Sequence, residues 1–242
     1  MKIAHLSDIH LTENGRIIWG SDTMRHFNEV FSKLAKHNID AIVISGDLSD
    51  DGSQWSYEYL DEAFSKLGIP TYCCMGNHDS FDNFCKTTYI QHTTKFLLGG
   101  WKIVLLNSVI KDETEPGKNK SRGFLNDESI TALSMELKDD IPTAIFLHHP
   151  PIEPGGWLNR KILDNRDDFN ELIRQSNVKL VAFGHIHYAT STIIDNILYA
   201  SAPGIGFGFD KDLPKFQIAD GTEGFNIISF ERDKIDIETI LI

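Results

Sequence analysis

Side chains of the types that bind metal ions are concentrated in five short segments of the sequence. Each segment follows a run of apolar residues, and the five are Ser7-Asp8-Ile9-His10, Gly46-Asp47-Leu48-Ser49-Asp50, Gly76-Asn77-His78-Asp79, His148-His149-Pro150 and Gly184-His185-Ile186-His187. They supply imidazole nitrogens and carboxylate or amide oxygens without thiolates, a donor set suited to Mn, Fe, Zn or similar ions. A single Asp after a strand is more often a helix cap or turn former. Five such segments together favour a metal site.

The apolar runs before these segments predict buried β-strands that alternate with helical patterns. Strands are predicted over 2–6, 39–45, 71–75, 143–147 and 179–183, and the helical patterns cover 27–35, 59–67, 130–137 and 169–173. This alternation predicts the α/β class. Because ligands of open α/β sheets bind at the carboxyl ends of the strands, we expect the five segments to meet at one edge.

The candidate ligands outnumber what one metal ion requires. They are Asp8, His10, Asp47, Asn77, His148, His185 and His187. If one carboxylate bridges, these seven residues supply four protein ligands to each of two ions. The spacings Asp8-x-His10 and His185-x-His187 would, in an extended backbone, direct both side chains of each pair to the same side.

In this order the five segments resemble the motifs of the calcineurin-like metallophosphoesterases. The matching patterns are Asp8-x-His10, Gly46-Asp47-x-x-Asp50, Gly76-Asn77-His78-Asp79, His148-His149-Pro150-Pro151 and Gly184-His185-x-His187. The short chain, the His-His-Pro-Pro segment and Arg122-Gly123-Phe124-Leu125 are most similar to the bacterial class III cyclic-nucleotide phosphodiesterases. The resemblance implies a metallo-dependent phosphatase-like fold, a four-layer α/β-β-α sandwich with two sheets face to face and helices outside.

The resemblance also implies which residues bind each metal ion. One ion would be held by Asp8, His10, Asp47 and His187, and the other by Asp47, Asn77, His148 and His185, with Asp47 bridging. His148 is chosen over His149 because the family ligand stands two residues before a proline, here Pro150. His149 would then turn away from the metal.

His78 matches the family histidine that faces the substrate without binding metal, and it is the predicted catalytic residue. Two cations would activate a bridging water as hydroxide, which attacks phosphorus in line while His78 assists the leaving group. Asp50 and Asp79 are expected to orient histidines of the site.

The expected activity is hydrolysis of a small phosphoester with two divalent or mixed-valence metal ions, and a cyclic nucleotide is the preferred substrate. The same residues would also suit a phosphomonoesterase, a nucleotide-sugar or dinucleotide pyrophosphohydrolase, or a nuclease. A catalytically silent scaffold that keeps the fold for protein binding is an alternative of another class. Missing ligands or a missing His78 would favour the scaffold, and the sequence contains all of them.

The composition limits the range of partners. The 242 residues are 41% hydrophobic and 24% charged, and 23 Lys and Arg against 35 Asp and Glu give a net charge of −12. This balance argues against long nucleic acids and anionic membranes, but not against a small anion held through metal cations. Cys73, Cys74 and Cys85 do not suggest a disulfide scaffold. No apolar run approaches the roughly 18 residues of a membrane span, so we expect a soluble, cytoplasmic protein, with its oligomeric state left open.

The remaining segments predict a hairpin at Gly99-Gly100, a long polar loop over 110–122, and mostly strands after His187, with a turn at Asp195-Asn196. No repeat or linker divides the chain, and residues 1–242 are assigned to a single metallophosphoesterase domain. The loop over 150–166 could cover the substrate through Trp157 and Arg160, or Trp157 could simply anchor it. The sequence Gly204-x-Gly206-x-Gly208 lacks the strand-to-helix context of a nucleotide fingerprint, so we interpret it as a flexible loop.

Overall fold

The computed structural model describes residues 1–109, 122–231 and 234–242. The strands in these ranges are β1 Lys2–Leu6, β2 Ala41–Ser45, β3 Thr71–Cys74, β4 Lys95–Leu98, β5 Trp101–Leu105, β6 Thr143–Leu147, β7 Val178–Phe183, β8 Thr190–Ile194, β9 Ile197–Ser201, β10 Gly208–Phe209, β11 Ile218–Ala219, β12 Gly224–Phe230 and β13 Ile235–Leu241. The α-helices are α1 Thr23–Leu34, α2 Gln54–Leu67, α3 Phe81–Phe84, α4 Asp127–Glu136 and α5 Arg166–Arg174, and 3₁₀ turns lie at Glu13–Gly15 and Gly156–Arg160.

Two large mixed sheets contain most of the strands. The first has the order β13-β12-β1-β2-β3, with β1, β2 and β3 parallel and β12 antiparallel to both of its neighbours. The second has the order β4-β5-β6-β7-β9-β8, in which β5, β6, β7 and β9 are parallel and the outer strands β4 and β8 are antiparallel. The five predicted strands that precede the metal-binding segments are therefore all parallel members of these sheets.

Apolar side chains form three layers around the two sheets. Residues such as Ile3, Val43 and Phe146 pack between the sheets. A second cluster lies between the first sheet and helices α1 and α2, and a third between the second sheet and helices α4 and α5. This arrangement confirms the expected four-layer sandwich. Because both faces of β2 and β6 are covered, every residue in them is buried, as parallel strands require.

Local sequence signals account for several of the element boundaries. The Ser53 hydroxyl accepts a hydrogen bond from the backbone N–H of Ser56 at the start of α2, and Gly68 ends that helix with a left-handed φ of 73°. Asp195 and Asn196 both have positive φ in the turn between β8 and β9, as the predicted hairpin needs. Among the strands after His187, β10 and β11 are only two residues long. The polar loop predicted over 110–122 lies, apart from Arg122, outside the described residues.

The described residues contain no helix long and apolar enough to cross a membrane. All three cysteines are free thiols, with Cys73 and Cys74 buried in β3 and Cys85 exposed, which agrees with the sequence expectation.

The layer between the sheets should carry much of the stability of the fold. Phe146 is fully buried there, so Phe146→Ala is expected to lower the free energy of unfolding by about 3–5 kcal/mol, measured by urea denaturation. Leu97→Ala is the control, because Leu97 is 67% exposed and its change should stay within about 0.5 kcal/mol. Equal losses in the two variants would contradict the assignment of this layer as the core.

Candidate metal centre

The five predicted segments follow the carboxyl ends of β1, β2, β3, β6 and β7, and the fold brings them together in one buried cluster. Four overlapping groups of side chains there could hold a metal ion. They are Asp8, His10 and His187; His10, Asp47 and His78; Asp8, Asp47 and His148; and His148, His149 and His185. The side chains converge as predicted, but they come from the strand ends of both sheets, so the expectation of one sheet edge is wrong.

The Asp47 carboxylate lies at the centre of this cluster. Its Oδ2 atom is 3.5 Å from His10 Nε2 and 3.4 Å from His148 Nε2, so it faces ligand-type nitrogens on two sides. The other oxygen, Oδ1, accepts a hydrogen bond of 2.8 Å from the backbone N–H of His78. One oxygen is thus held by the backbone, and the other faces the imidazole nitrogens.

Asp8 shows the same division between its two carboxylate oxygens. Oδ2 accepts hydrogen bonds from the Ser7 hydroxyl at 2.6 Å and from the backbone N–H of His185 at 2.9 Å. Oδ1 is buried, lies 3.2 Å from His187 Nε2, and accepts no hydrogen bond from the described residues. A buried carboxylate oxygen without a donor is costly unless a cation faces it.

Hydrogen bonds on the outer nitrogen orient three of the imidazole rings. His10 Nδ1 lies 3.1 Å from Asp50 Oδ1. His148 Nδ1 lies 2.8 Å from the carbonyl oxygen of Ser45, and His187 Nδ1 lies 2.7 Å from the carbonyl oxygen of Phe207. Each acceptor selects the tautomer in which Nδ1 donates, and the lone pair of Nε2 then points into the cluster. Such outer partners are the usual means of orienting metal-binding histidines.

The inward atoms have the spacing of ligands that share an ion. His10 Nε2 and His187 Nε2 are 3.3 Å apart, and His148 Nε2 is 3.1 Å from Asn77 Oδ1 and 2.9 Å from His185 Nδ1. Two ligands that each lie about 2.1 Å from one ion are separated by about 3–3.5 Å. For His10 and His187, whose Nδ1 atoms both donate outward, the two Nε2 lone pairs repel unless a cation lies between them. The donor set and its geometry therefore fit metal ions.

Five of the candidate ligands have a left-handed backbone. The positive φ values are 54° for Asp8, 51° for His10, 52° for Asp47, 69° for His185 and 47° for His187. The extended backbone expected for the two His-containing pairs is therefore wrong, although both members of each pair still reach the cluster. Non-glycine residues occupy this region at a conformational cost, and such residues gather at functional sites.

The charges of the cluster oppose the effect of burial on its titratable groups. Burial lowers the pKa of His10, but its contact with Asp50 and the charges of Asp8 and Asp47 raise that pKa to about 10. Burial also lowers the pKa of His148, but Asp47 raises it to about 9. Burial raises the pKa of Asp47, but the positive charge of His148 lowers it by more. The pKa of Asp47 therefore lies well below its ordinary range. The buried carboxylates therefore attract positive charge, which protons and metal ions compete to supply.

His78 and Asp79 occupy different positions relative to the cluster. The His78 ring is partly exposed, and its Nδ1 lies 3.2 Å from the carbonyl oxygen of Asp50 and 3.3 Å from Asp50 Oδ1, so Nε2 is directed away from that residue. Asp79 is tied to the backbone instead, because its carboxylate accepts hydrogen bonds from the N–H groups of Leu48, Ser49 and Gly76 and from the Tyr57 hydroxyl. Asp50 thus orients two histidines as expected, whereas Asp79 fixes the loops around them.

His149 lies beside the cluster rather than away from it. Its ring is 4.6 Å from the ring of His185, and its Nδ1 lies 2.9 Å from the Ser108 hydroxyl. A Cβ on Gly123 would come within 2.6 Å of the His149 ring, so the close approach of Gly123 holds that ring in place. The expectation that His149 turns away from the site is therefore only partly met, because its ring still packs on the candidate ligands.

A pocket of about 230 Å³ opens above the cluster. It is lined by the cluster residues His10, Asp47, His78, His185 and His187 and by five further residues, Trp19, Lys161, Phe207, Phe209 and Phe216. The sequence did not indicate these five partners, because they come from segments far apart in the chain. Nothing in the sequence around them indicates a pocket, apart from the charge of Lys161 and its place in the loop over 150–166.

Trp157 and Arg160 do not line this pocket among the described residues. Trp157 is buried, its indole N–H donates to the carbonyl oxygen of Asp210 at 3.0 Å, and Arg160 packs over its ring at 5.9 Å. The geometry therefore agrees with the anchoring role for Trp157. The segment around Gly204 and Gly206 is closely packed rather than loose, since a Cβ on Gly204 would lie 2.6 Å from His187 Nδ1.

The family model described as calcineurin-like phosphoesterase matches residues 1–189, which contain every candidate ligand. The chain belongs to the calcineurin-like phosphoesterases. This calcineurin-like phosphoesterase is accordingly a metal-dependent hydrolase of phosphoesters, as the sequence motifs predicted.

Curated relatives and solved structures agree with that assignment. A 3′,5′-cyclic-nucleotide phosphodiesterase from Nostoc sp. is 32% identical over 96% of this chain and 89% of its own length. A probable cyclic nucleotide phosphodiesterase from Coxiella burnetii is also 32% identical, over 87% of this chain and 86% of its own length. A dimetal phosphatase from Danio rerio shares the fold, with a TM-score of 0.72, 11% identity and coverage of 98% and 95% of the two chains.

Metal binding should stabilise the folded protein. With Mn²⁺ at about 100 times its Kd, the Tm measured by calorimetry is expected to exceed that of the EDTA-treated protein by about 5–10 °C. Asp47→Asn removes a buried ligand charge and should abolish most of this increase, whereas the exposed Asp212→Asn should retain it. An equal metal-dependent increase in both variants would contradict the role of Asp47.

The Asp50 carboxylate should act on metal affinity through His10. Because it accepts from His10 Nδ1, Asp50→Asn is expected to weaken metal binding by about 10–100-fold, measured by titration of the apoprotein with Mn²⁺. Asp82→Asn, an exposed substitution at the start of α3, serves as the control. Unchanged affinity in the Asp50 variant would show that the ring of His10 needs no such partner.

Proposed function

We propose that this phosphoesterase is a dinuclear-metal phosphodiesterase that hydrolyses 3′,5′-cyclic nucleotides. One ion would be bound by Asp8, His10, Asp47 and His187, and the other by Asp47, Asn77, His148 and His185, with Asp47 bridging. Mn, Fe or Zn would suit this oxygen and nitrogen donor set. We also infer that residues 1–242 form one metallophosphoesterase domain, since β12 and β13 complete the first sheet beyond the matched region.

The observation that supports two ions most directly is the position of Asp47 Oδ2. It lies at nearly equal distances from His10 Nε2 and His148 Nε2, which belong to the two proposed ligand groups. His187 and Asp8 lie on the His10 side, and Asn77 and His185 lie on the His148 side. A single ion would be held by one group and would not reach the ligand atoms of the other.

The chain's own groups divide the work of the reaction. Two divalent cations held by these residues would supply activation of a water, orientation of the phosphoryl group and stabilisation of negative charge during in-line displacement. The side chains of the cluster fix those positions through their hydrogen bonds to the backbone and to Asp50. The apolar layers below the cluster keep other water away from the buried ligand atoms.

His78 is the proposed catalytic residue. Its Nδ1 faces Asp50, and its ring lies 4.8 Å from the ring of His10 at the floor of the pocket. Nε2 makes no hydrogen bond to the described residues, and we assign to it the proton that passes to the leaving oxygen. General acid assistance of this kind is typically worth about 10²–10⁴-fold in rate.

Lys161 is a second group that could reach the phosphate. It is half-buried at the wall of the pocket, and its Nζ lies 5.8 Å from the centre of the Phe209 ring. Burial lowers its pKa, while the charges of Asp47 and Asp8 act in the opposite direction. A cation there adds to the attraction for one phosphate group inside a chain whose net charge is −12.

The names of the curated relatives favour cyclic nucleotides over other phosphoesters. The alternatives with the same site are a phosphomonoesterase and a nucleotide or nucleotide-sugar pyrophosphohydrolase. The intact ligand set and the accessible His78 disfavour a silent scaffold, which would not need either. A panel of substrates separates these possibilities.

The Mn²⁺-loaded protein is expected to hydrolyse bis-p-nitrophenyl phosphate and to show a higher kcat/KM for 3′,5′-cyclic nucleotides than for p-nitrophenyl phosphate or nucleotide-sugars. Removing the metals with EDTA should abolish both activity and affinity for the phosphoester. His78→Ala should lower kcat by about 10²–10⁴-fold with its metal content unchanged. His37→Ala, before the amino end of β2, is the control.

A metal-loaded protein that is inert toward the whole panel would refute the enzyme and favour the scaffold. A higher kcat/KM for the monoester or the nucleotide-sugar would replace the diesterase with the corresponding alternative. Metal content measured on the same sample separates these outcomes from simple loss of the ions.

A further inference from the structure

Two large aromatic side chains are exposed at the mouth of the pocket. Trp19 is 59% exposed and Phe216 is 42% exposed, although both line the same space as His10 and His187. Their ring centres are 5.1 Å apart, with an angle of 72° between the ring planes. Exposed aromatic rings beside a polar site are typical of surfaces that bind a ligand.

The backbone holds Trp19 in this position at a conformational cost. Its φ is 47°, and Trp19 and Gly20 form a two-residue turn in which the backbone N–H groups of Ile18 and Ser21 donate to each other's carbonyl oxygens at 3.1 and 2.7 Å. A bulky residue is rare in this left-handed region, which glycine normally occupies. The turn therefore holds a strained tryptophan at the surface, outside the three apolar layers.

The turn is tied directly to the metal-binding cluster. The Ser21 hydroxyl donates to the carbonyl oxygen of Gly206 at 2.6 Å, and the backbone N–H of Gly206 donates to the carbonyl oxygen of Asp8 at 2.9 Å. This chain of hydrogen bonds fixes the distance between the aromatic rings and the candidate ligands. A molecule bound to both would therefore meet a rigid surface.

A continuous series of rings connects His187 to the exposed pair. Phe207 and Phe209 stack on the His187 ring at 4.5 and 4.3 Å, Trp19 contacts Phe207 at 5.1 Å, and Phe216 contacts Phe209 at 5.1 Å. Phe207 and Phe209 are buried, so only Trp19 and Phe216 can offer free ring surface. Both exposed rings line the same pocket as the candidate ligands His10 and His187.

We propose that Trp19 and Phe216 bind the nucleobase of the substrate while its phosphate occupies the metal centre, an inference that rests on the proposed function. The two exposed rings stand at a steep angle to each other, so a base that stacks on one would meet the edge of the other. They lie next to the proposed site for one phosphate group, which matches the two ends of a nucleotide. Stacking requires a π-face rather than a particular set of hydrogen-bonding groups, so it accepts different bases. The larger purine rings cover more of this surface than pyrimidines do, and we expect purine nucleotides to bind more tightly.

The test compares two phosphate ligands that differ only in the base. Adenosine 5′-monophosphate and ribose 5-phosphate are titrated against the Mn²⁺-loaded protein by calorimetry, and their inhibition of bis-p-nitrophenyl phosphate hydrolysis is measured in parallel. Trp19→Ala is expected to weaken adenosine 5′-monophosphate about tenfold and to leave ribose 5-phosphate unchanged. Phe216→Leu should also weaken adenosine 5′-monophosphate selectively, but by a smaller factor.

Matched variants separate the ring from the backbone of the turn. Trp19→Phe retains an aromatic face and should keep most of the nucleotide affinity, whereas Trp19→Gly relieves the strained φ and should lose as much as Trp19→Ala. Trp55→Ala removes a tryptophan that stacks on Tyr59 outside the pocket, and it should change neither ligand. Metal content is measured for every variant.

A selective loss for the nucleotide supports the base site. Equal weakening of both ligands, or of neither, overturns it, as does a wild-type protein that binds the two ligands equally well. A protein that shows the selective loss but hydrolyses no cyclic nucleotide refutes the proposed reaction and retains the base site. A protein that hydrolyses cyclic nucleotides without dependence on Trp19 supports the proposed reaction and refutes the base site.

Discussion

The buried carboxylate of Asp47 is the constraint on which the site depends. One of its oxygens accepts the backbone N–H of His78, and the other faces imidazole nitrogens from two directions. The loop after β3 must therefore approach the loop after β2 very closely, and a Cβ on Gly76 would lie only 2.1 Å from Asp47 Oδ1. Glycine before Asn77 is thus a steric requirement of the carboxylate. The same contact places Asn77 among the candidate ligands and His78 at the pocket.

The cluster costs the fold stability, and the apolar layers offset that cost. Ionised carboxylates are buried at its centre, lone pairs face one another, and five candidate ligands occupy the left-handed region. Such an arrangement persists only where the surrounding structure determines the backbone. The parallel strands β1, β2, β6 and β7 do this, because their register is fixed by buried side chains on both faces and their ends have little freedom to move. Bound cations would remove much of the remaining cost by satisfying the inward atoms.

The sequence predicts those parts of the molecule that have a local signal. Apolar runs followed by Asp, Asn or His predicted the strands and the convergence of the segments that follow them, because strand period and donor chemistry are properties of neighbouring residues. That the five strands are divided between two sheets has no such local signal. The left-handed φ of Asp8 and His10 has no such signal, and an extended backbone was the reasonable expectation. The pocket wall was missed for a different reason. Trp19, Lys161 and Phe216 lie far apart in the chain, and only the tertiary fold brings them opposite the cluster. Trp157 was a candidate for substrate contact because it lies in a glycine- and proline-rich loop. Its indole N–H instead anchors that loop to the carbonyl oxygen of Asp210.

The acidic character of the chain and the proposed substrate are connected through the metal ions. With a net charge of −12, the surface repels a molecule that carries many phosphates. Among the described residues that line the pocket, Lys161 is the one lysine or arginine. Divalent ions at the centre would more than offset the carboxylates of Asp8 and Asp47, so positive potential would be confined to one small volume. A cyclic nucleotide presents a single phosphodiester charge to that volume and an uncharged base to the rings of Trp19 and Phe216. Substrate size would then be selected by repulsion outside the pocket, while metal ions and stacking supply the attraction within it.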